Sequence, residues 1–285
     1  MPQQLVYNGK LVSADEHVLK TTNRAFRFGD SVFETVRVLN GQPLFLTDHF
    51  SRLIKAMNAM KMDVPSEYTV DFFGRQINDL LVANLISTGA RVRLTVFRNE
   101  GGFYTPKTNE CSYLIESDKL EDNLYALNSK GHTIDLFSDI KKQQNSLSSV
   151  KTGNSSMFVL AGIHRVKNNL DECIVMNTKN DIIESINSNV FAVKNGVLYT
   201  PPVAEGCIDG VMRKKLIEVS FKSRIAVYEI NLAQSVLLSA DELFLTNVVS
   251  GIRWVGAYKS KRFFNNTAKL LVERLNEYIT AKKET

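Results

Sequence analysis

Ser146-Leu-Ser-Ser-Val-Lys-Thr-Gly-Asn154 places one lysine, Lys151, in a run of small uncharged residues. Asp181-Ile-Ile-Glu-Ser-Ile-Asn-Ser-Asn-Val-Phe191 answers it with a carboxylate, Glu184, at the head of an alternating, strand-like segment. An amine with no counter-charge close in sequence, and a carboxylate that can stand opposite it, suit a cofactor that is held as a Schiff base and needs a protonated ring nitrogen. Taken singly, each segment has a plainer reading: a surface lysine before a Gly-Asn turn, and a solvated glutamate before a strand.

The rest of the chain narrows the choice. With 285 residues, 44% of them hydrophobic and 23% charged, it has the composition of a globular protein large enough for two domains. The net charge of +5 is scattered, apart from the terminal Ala281-Lys-Lys-Glu-Thr285, which favours a mildly basic enzyme for anionic small molecules over a nucleic-acid binder. Cys111, Cys173 and Cys207 are odd in number and far apart, fitting a reducing compartment and no zinc pattern. His17, His49, His132 and His164 lack metal-ligand spacing, so no metal site is expected. The N-terminus opens straight into a strand without a signal-like segment, and no apolar run reaches the ~18 residues of a membrane span. The expectation is a cytoplasmic protein that binds neither nucleic acid nor membrane.

Along the chain, Asn8-Gly9 turns Leu5–Tyr7 back on Lys10–Val12 as a hairpin. Ser31–Leu39 alternates as a strand, and Asn40-Gly41 turns it into Pro43–Phe45. Thr47 is placed to cap a helix with Phe50, Leu53, Ile54, Met57 and Met60 at helical spacing, and a second helix is expected from about Tyr68 to Ile86. Strands follow at Val92–Phe97 and Ser112–Ile115. The polar stretch Glu116–Asn123 then reads as a linker. Beyond it, strands are expected at Thr133–Phe137, Glu172–Met176, Val190–Val193, Val197–Thr200, Arg224–Ile230 and Glu242–Leu245. Helices are expected at Val211–Phe221, at Leu232–Leu238 and from Thr267 to the C-terminus. Strands mixed with helices in two blocks give an α/β (or α+β) fold. The division is a small N-terminal domain over residues 1–118 and a larger domain over 119–285 carrying Lys151, with the ligand expected in the cleft between them.

Several motifs in this order resemble the pyridoxal-phosphate fold type IV family, the class IV aminotransferases, along residues 5 to 280. Asn23-Arg-Ala-Phe-Arg-Phe-Gly-Asp-Ser-Val-Phe-Glu34 is similar to the family's Asp-Arg-Gly-Phe-x-x-Gly-Asp-Gly-x-Phe-Glu. His49-Phe-Ser-Arg-Leu53 resembles its His-x-x-Arg-Leu, which implies that Arg52 binds the phosphate of pyridoxal 5'-phosphate; a guanidinium fork suits that anion. Lys151 through Asn154 resembles Lys-x-x-Asn and makes Lys151 the Schiff-base lysine and, once displaced, the general base. Glu184 through Phe191 resembles Glu-x-x-x-Ser-Asn-x-Phe, which implies that Glu184 holds the ring nitrogen protonated and that Ser188 and Asn189 line the cofactor. Gly206-Cys-Ile-Asp-Gly-Val-Met-Arg213 resembles a turn into a helix whose first N–H groups, those of Val211 and Met212, bind an anion. Ala240-Asp-Glu-Leu-Phe-Leu-Thr-Asn247 is similar to a second phosphate turn with Thr246 and Asn247.

The same resemblance implies a reaction class and leaves its substrate to finer marks. Met212 stands where many aminotransferases of the family carry threonine, Thr246-Asn247 is the lyase-like pair, and Arg98-Asn-Glu-Gly-Gly-Phe-Tyr104 is similar to a lyase loop. Phe28 replaces a substrate-facing tyrosine of branched-chain aminotransferases. These lean towards 4-amino-4-deoxychorismate lyase, a step of folate biosynthesis releasing pyruvate and 4-aminobenzoate. Glu34 matches the aminotransferase form of its motif, so a branched-chain L-amino acid or D-amino acid transaminase is the alternative, and a non-catalytic cofactor-binding relative a further one. Arg27 and Arg93 are the expected substrate-carboxylate ligands, and family likeness implies a homodimer.

Overall fold

The computed structural model describes residues 3–120 and 124–281, which fall into two units, 1–124 with 150–154 and 125–149 with 155–285. The last residues of the expected linker, 121–123, and most of the basic terminus, 282–285, lie outside the described residues.

The first unit is built from β1 (Gln4–Tyr7), β2 (Lys10–Ser13), α1 (Arg24–Phe28), β3 (Ser31–Leu39), β4 (Gln42–Pro43), α2 (Leu46–Ala59), α3 (Val70–Ala83), β5 (Gly89–Arg98) and β6 (Cys111–Leu120). Its six strands run in the order β2-β1-β6-β5-β3-β4, every neighbouring pair antiparallel. One face carries Val36, Val92 and Ile115 against Leu53 and Met57 of α2 and Phe73 and Ile77 of α3. Each such side chain removed from water contributes about 1.5–3 kcal/mol.

Three expectations change here. The cap of α2 is Phe45, held in the left-handed region at φ 55°, and Thr47 lies inside the helix. The last turn of the expected second helix is not helical, because the chain leaves the helix at Asn84 and turns through a positive φ at Leu85. Residues 116–120 are strand, not linker: Ser117 is buried opposite Val92, while Glu116 and Asp118 face outward on the alternate positions.

The second unit holds β7 (His132–Lys142), α4 (Ser156–Lys167), β8 (Glu172–Asn177), β9 (Ile182–Ser185), β10 (Asn189–Lys194), β11 (Val197–Thr200), α5 (Val211–Lys222), β12 (Val227–Glu229), α6 (Val236–Ser239), β13 (Glu242–Asn247), β14 (Gly251–Tyr258), β15 (Lys261–Arg262) and α7 (Asn266–Ala281). Its strand order is β12-β11-β10-β13-β14-β7-β8-β9, with β15 on β14, and a β9–β10 pairing returns the path on itself. Closure of that kind removes exposed sheet edges. Ile134, Ile174, Val190, Leu243 and Val255 belong to its core. The start of α7 is tied down by Glu242, whose carboxylate accepts from the N–H groups of Thr267 and Ala268.

The segment that carries Lys151 belongs to the first unit, whereas the sequence assigns it to the C-terminal domain. The reason is main-chain bonding to β3: Phe33 N–H donates to Lys151 O at 2.9 Å, and Gly153 N–H donates to Ser31 O at 2.8 Å.

Candidate active site

In the first unit, β3 and β5 set Thr35 opposite Arg93 and Arg37 opposite Arg91, and alternation puts Phe33, Arg37, Arg91 and Arg93 on one face. That face is the one α2 and α3 do not cover. The Lys151 segment runs beside β3 there, with an antiparallel bridge between Val32 and Thr152. A Cβ on Gly153 would fall 2.3 Å from Ser31 Oγ, so glycine permits this close approach. Lys151 Nζ lies 4.2 Å from the Phe33 ring centroid, and Arg93 Cζ lies 3.8 Å from the same centroid. Lysine and arginine are thereby gathered on one aromatic ring. Arg91 is held by Asp118 at 2.9 Å.

Arg27 is not part of this group. It is exposed at the end of α1 and donates through Nε to Thr21 O. Phe28 packs on Tyr104, with ring centroids 5.5 Å apart, and under the guanidinium of Arg24.

Arg52 projects from α2 towards Glu34 of β3. Its Nε donates to Glu34 Oε1 at 2.7 Å and its Nη2 to Oε2 at 2.5 Å, a two-pronged pairing. His49, one turn earlier on the same helix, meets Glu34 Oε2 through Nδ1 at 2.7 Å. The sequence marks Glu34 and His49 only as motif positions; the hold of Glu34 on Arg52 and of His49 on Glu34 escapes it, because that depends on how α2 lies on β3. Burial pushes the Glu34 carboxyl up, but the charge of Arg52 and the bonds from Arg52 and His49 outweigh it and hold it at about 2. Burial pushes His49 below its ordinary 6.5 against the opposing pull of Glu34.

Both groups therefore refuse protons that the unfolded chain accepts. Stability should fall as pH drops below 6.5 through His49, and again from 4.5 towards about 2 through Glu34. Unfolding free energies from urea titration of the wild type and Glu34→Gln should differ by about 3 kcal/mol at pH 6 and converge near pH 2. A gap that stayed constant over this range would show that the Glu34 charge is not the source.

In the second unit, Glu184 of β9 is 3% exposed. Its Oε2 accepts from Ile208 N–H at 2.9 Å, and its Oε1 meets Lys142 Nζ at 2.5 Å. Nothing local in the sequence marks Lys142 for this role. Asn189 sits opposite Thr246 across β10 and β13, and its Nδ2 donates to Ile208 O at 2.8 Å, so it fixes the turn before α5. A Cβ on Gly210 would fall 1.9 Å from Asn189 Oδ1. Gly210 caps α5 without a side-chain hydrogen bond, which leaves the first N–H groups, including those of Val211 and Met212, for an anion. Met212 is 1% exposed and brings no hydroxyl to that turn.

Ser188 Oγ accepts from Asn247 Nδ2 at 2.9 Å. Asn247 Oδ1 accepts from the N–H groups of Val249 and Ser250, and Thr246 Oγ1 donates to Gly251 O at 3.0 Å. The second turn thus lies ordered beside the strand that bears Asn189. Lys151, Arg93 and Arg52 are described with the first unit, and Glu184, Ser188, Asn189, Val211, Met212, Thr246 and Asn247 with the second.

A family profile described as Amino-transferase class IV matches residues 31–258. A Methanocaldococcus jannaschii protein named as a branched-chain-amino-acid aminotransferase is 27% identical over 285 residues, covering 96% of this chain and 94% of its own. The crystal structure of a branched-chain aminotransferase from Thermoproteus uzoniensis superposes with a TM-score of 0.91 at 20% identity, over 99% of this chain and 96% of that one. A Legionella pneumophila structure named as a 4-amino-4-deoxychorismate lyase superposes with a TM-score of 0.84 at 22% identity, over 93% and 96% of the two chains.

Proposed function

The chain belongs to the class IV amino-transferase family, whose enzymes depend on pyridoxal 5'-phosphate, and we propose that within it this enzyme is a 4-amino-4-deoxychorismate lyase. The residues present fit the cofactor. In the first unit Arg52 offers a cationic donor suited to a phosphate; in the second, the uncapped start of α5 offers N–H donors for an anion, and Glu184 offers a buried carboxylate for a ring nitrogen. Bound, the cofactor supplies an electron sink for the carbon that loses a proton. Lys151 removes that proton from the amine-bearing ring carbon. The C–O bond on the adjacent ring carbon then breaks, its electrons leaving with the oxygen; the departing enolate takes up a proton on its methylene carbon to become pyruvate, and the ring left behind is aromatic 4-aminobenzoate.

The observation that carries the reading is the arginine face. Arg93 and Lys151 share the ring of Phe33, and Arg37 and Arg91 lie on the same sheet face. Aminodeoxychorismate brings two carboxylates, and such a face matches it better than it matches a branched aliphatic side chain. Arg93, on the same ring as Lys151, is the carboxylate ligand of choice, and exposed Arg27 is the weaker one. Phe28, packed on Tyr104, is proposed to face substrate. A transaminase is the second reading, favoured by the near full-length likeness to the Methanocaldococcus relative. There Lys151 moves the same proton and no C–O bond breaks.

A homodimer in the cytoplasm completes the proposal. Val159, Leu160, Ile163 and Val166 form an exposed aliphatic row on α4, which a second copy would cover. Among the described residues no helix is long and apolar enough to cross a membrane.

The test incubates the yellow holoenzyme with aminodeoxychorismate, and separately with L- and D-amino acids plus a keto acid. Equimolar pyruvate and 4-aminobenzoate are expected, with slow or no amino transfer. Amino exchange without pyruvate release from aminodeoxychorismate would establish the transaminase instead.

A further inference from the structure

Lys142 reaches Glu184 across an irregularity in the β7–β8 ladder. The β7–β8 ladder is regular from Ile134–Glu172 to Phe137–Val175; β7 then takes five residues to reach Lys142 while β8 takes two to reach Asn177. The extra residues bulge outward, and Ser138–Lys141 are all exposed. The strand then returns with its last side chain turned inward. Lys142 is 12% exposed, and its Nζ meets a carboxylate that is 4% exposed at 2.5 Å, forty-two positions away in sequence. Bulges that re-aim one side chain are common beside active sites. A straight β7 would have no way to bring that ammonium back at this register.

We propose that Lys142 is the positioning residue for Glu184, holding the buried carboxylate aimed for the nitrogen of a pyridine-type cofactor. The inference rests on the cofactor reading above. A carboxylate this deeply buried, with one N–H bond from Ile208, keeps its orientation only while a cation stands beside it. Lys142 on Oε1 and Ile208 N–H on Oε2 leave each oxygen a further lone pair, so a third donor is accommodated without displacing either. Lys142 acts through Glu184, so it needs no contact with the cofactor itself.

The experiment titrates the apo forms of wild type, Lys142→Met, Lys142→Arg, Glu184→Gln and the Lys142→Met/Glu184→Gln double variant with pyridoxal phosphate from pH 5 to 9, following visible absorbance. In Lys142→Met affinity should fall about tenfold, and Lys142→Arg should restore it. In the Glu184→Gln background the methionine change should cost little, because there is no carboxylate left to steer. The double variant also removes both buried charges, so it stays informative should Lys142→Met fold poorly. Wild-type affinity in Lys142→Met would overturn the proposal, as would an equal loss in both backgrounds. A wild type that binds no pyridoxal phosphate would instead overturn the cofactor reading and this inference with it, so the two failures are separable.

Discussion

Lys151→Ala is expected to fold normally and to lose turnover by about four orders of magnitude or more. What holds the segment in place is its backbone: the bond from Phe33 N–H to Lys151 O and that from Gly153 N–H to Ser31 O need no lysine side chain. The ammonium's contact with Phe33 is worth about 1 kcal/mol, so the melting temperature should fall by only a few degrees. Catalysis, by contrast, has no substitute for an amine that can both form the covalent link and carry the proton. Lys151→Arg should be as inactive as alanine, because a guanidinium stays charged and accepts no proton at working pH. Added small primary amines should return part of the activity of Lys151→Ala and none of that of Lys151→Arg. Retention of more than about one per cent of the wild-type rate in either variant, without added amine, would move the general base to another residue.

The parts of the fold that can be read in advance are those whose signal is local. Ser31–Leu39 alternates because one face meets helices and the other does not, and the structure returns those same ends. The apolar row of α2 is equally plain, yet its start is not, since Phe45 enters by a left-handed backbone that no side-chain preference announces. Residues 116–120 read as a linker because a strand with one open face can be almost wholly polar on that side. Helix α4 is not anticipated: Val159, Leu160, Ile163 and Val166 lie on its exposed side, where a monomer would carry polar residues.

The candidate site divides in the same way. Lys151, Glu184 and Arg52 stand out through motifs whose likeness to the family implies a role for each. The residues that keep them in place do not stand out, because Lys142 approaches Glu184 through a bulge, and His49 approaches Glu34 through the packing of a helix on a strand. Supporting residues are selected by three-dimensional neighbours and leave a weak linear trace. Arg27 and Arg93 look equivalent in sequence; only strand alternation, which places Arg93 with Phe33 and Lys151, separates them.

Arg52→Ala should be among the most destabilising single changes in the first unit, costing about 3–5 kcal/mol. Glu34 is 2% exposed and takes two hydrogen bonds from Arg52; with the guanidinium gone, only His49 remains, and burial holds that imidazole below its ordinary pKa. The carboxylate then faces desolvation without a permanent cation and should take up a proton well above its wild-type value of about 2. Glu34→Gln should be milder, since an amide oxygen still accepts from Arg52 and the arginine, 12% exposed, keeps some contact with water. The double variant Arg52→Ala/Glu34→Gln should be less destabilised than Arg52→Ala alone, because it leaves no buried charge unpaired. Urea unfolding at pH 7 of the four proteins gives the coupling directly, and simple additivity of the two single changes would show that the pair does not act as a unit. Cofactor affinity should separate the roles further. Arg52→Ala removes the proposed phosphate donor and should weaken pyridoxal-phosphate binding far more than Glu34→Gln, which leaves the guanidinium present but less firmly aimed.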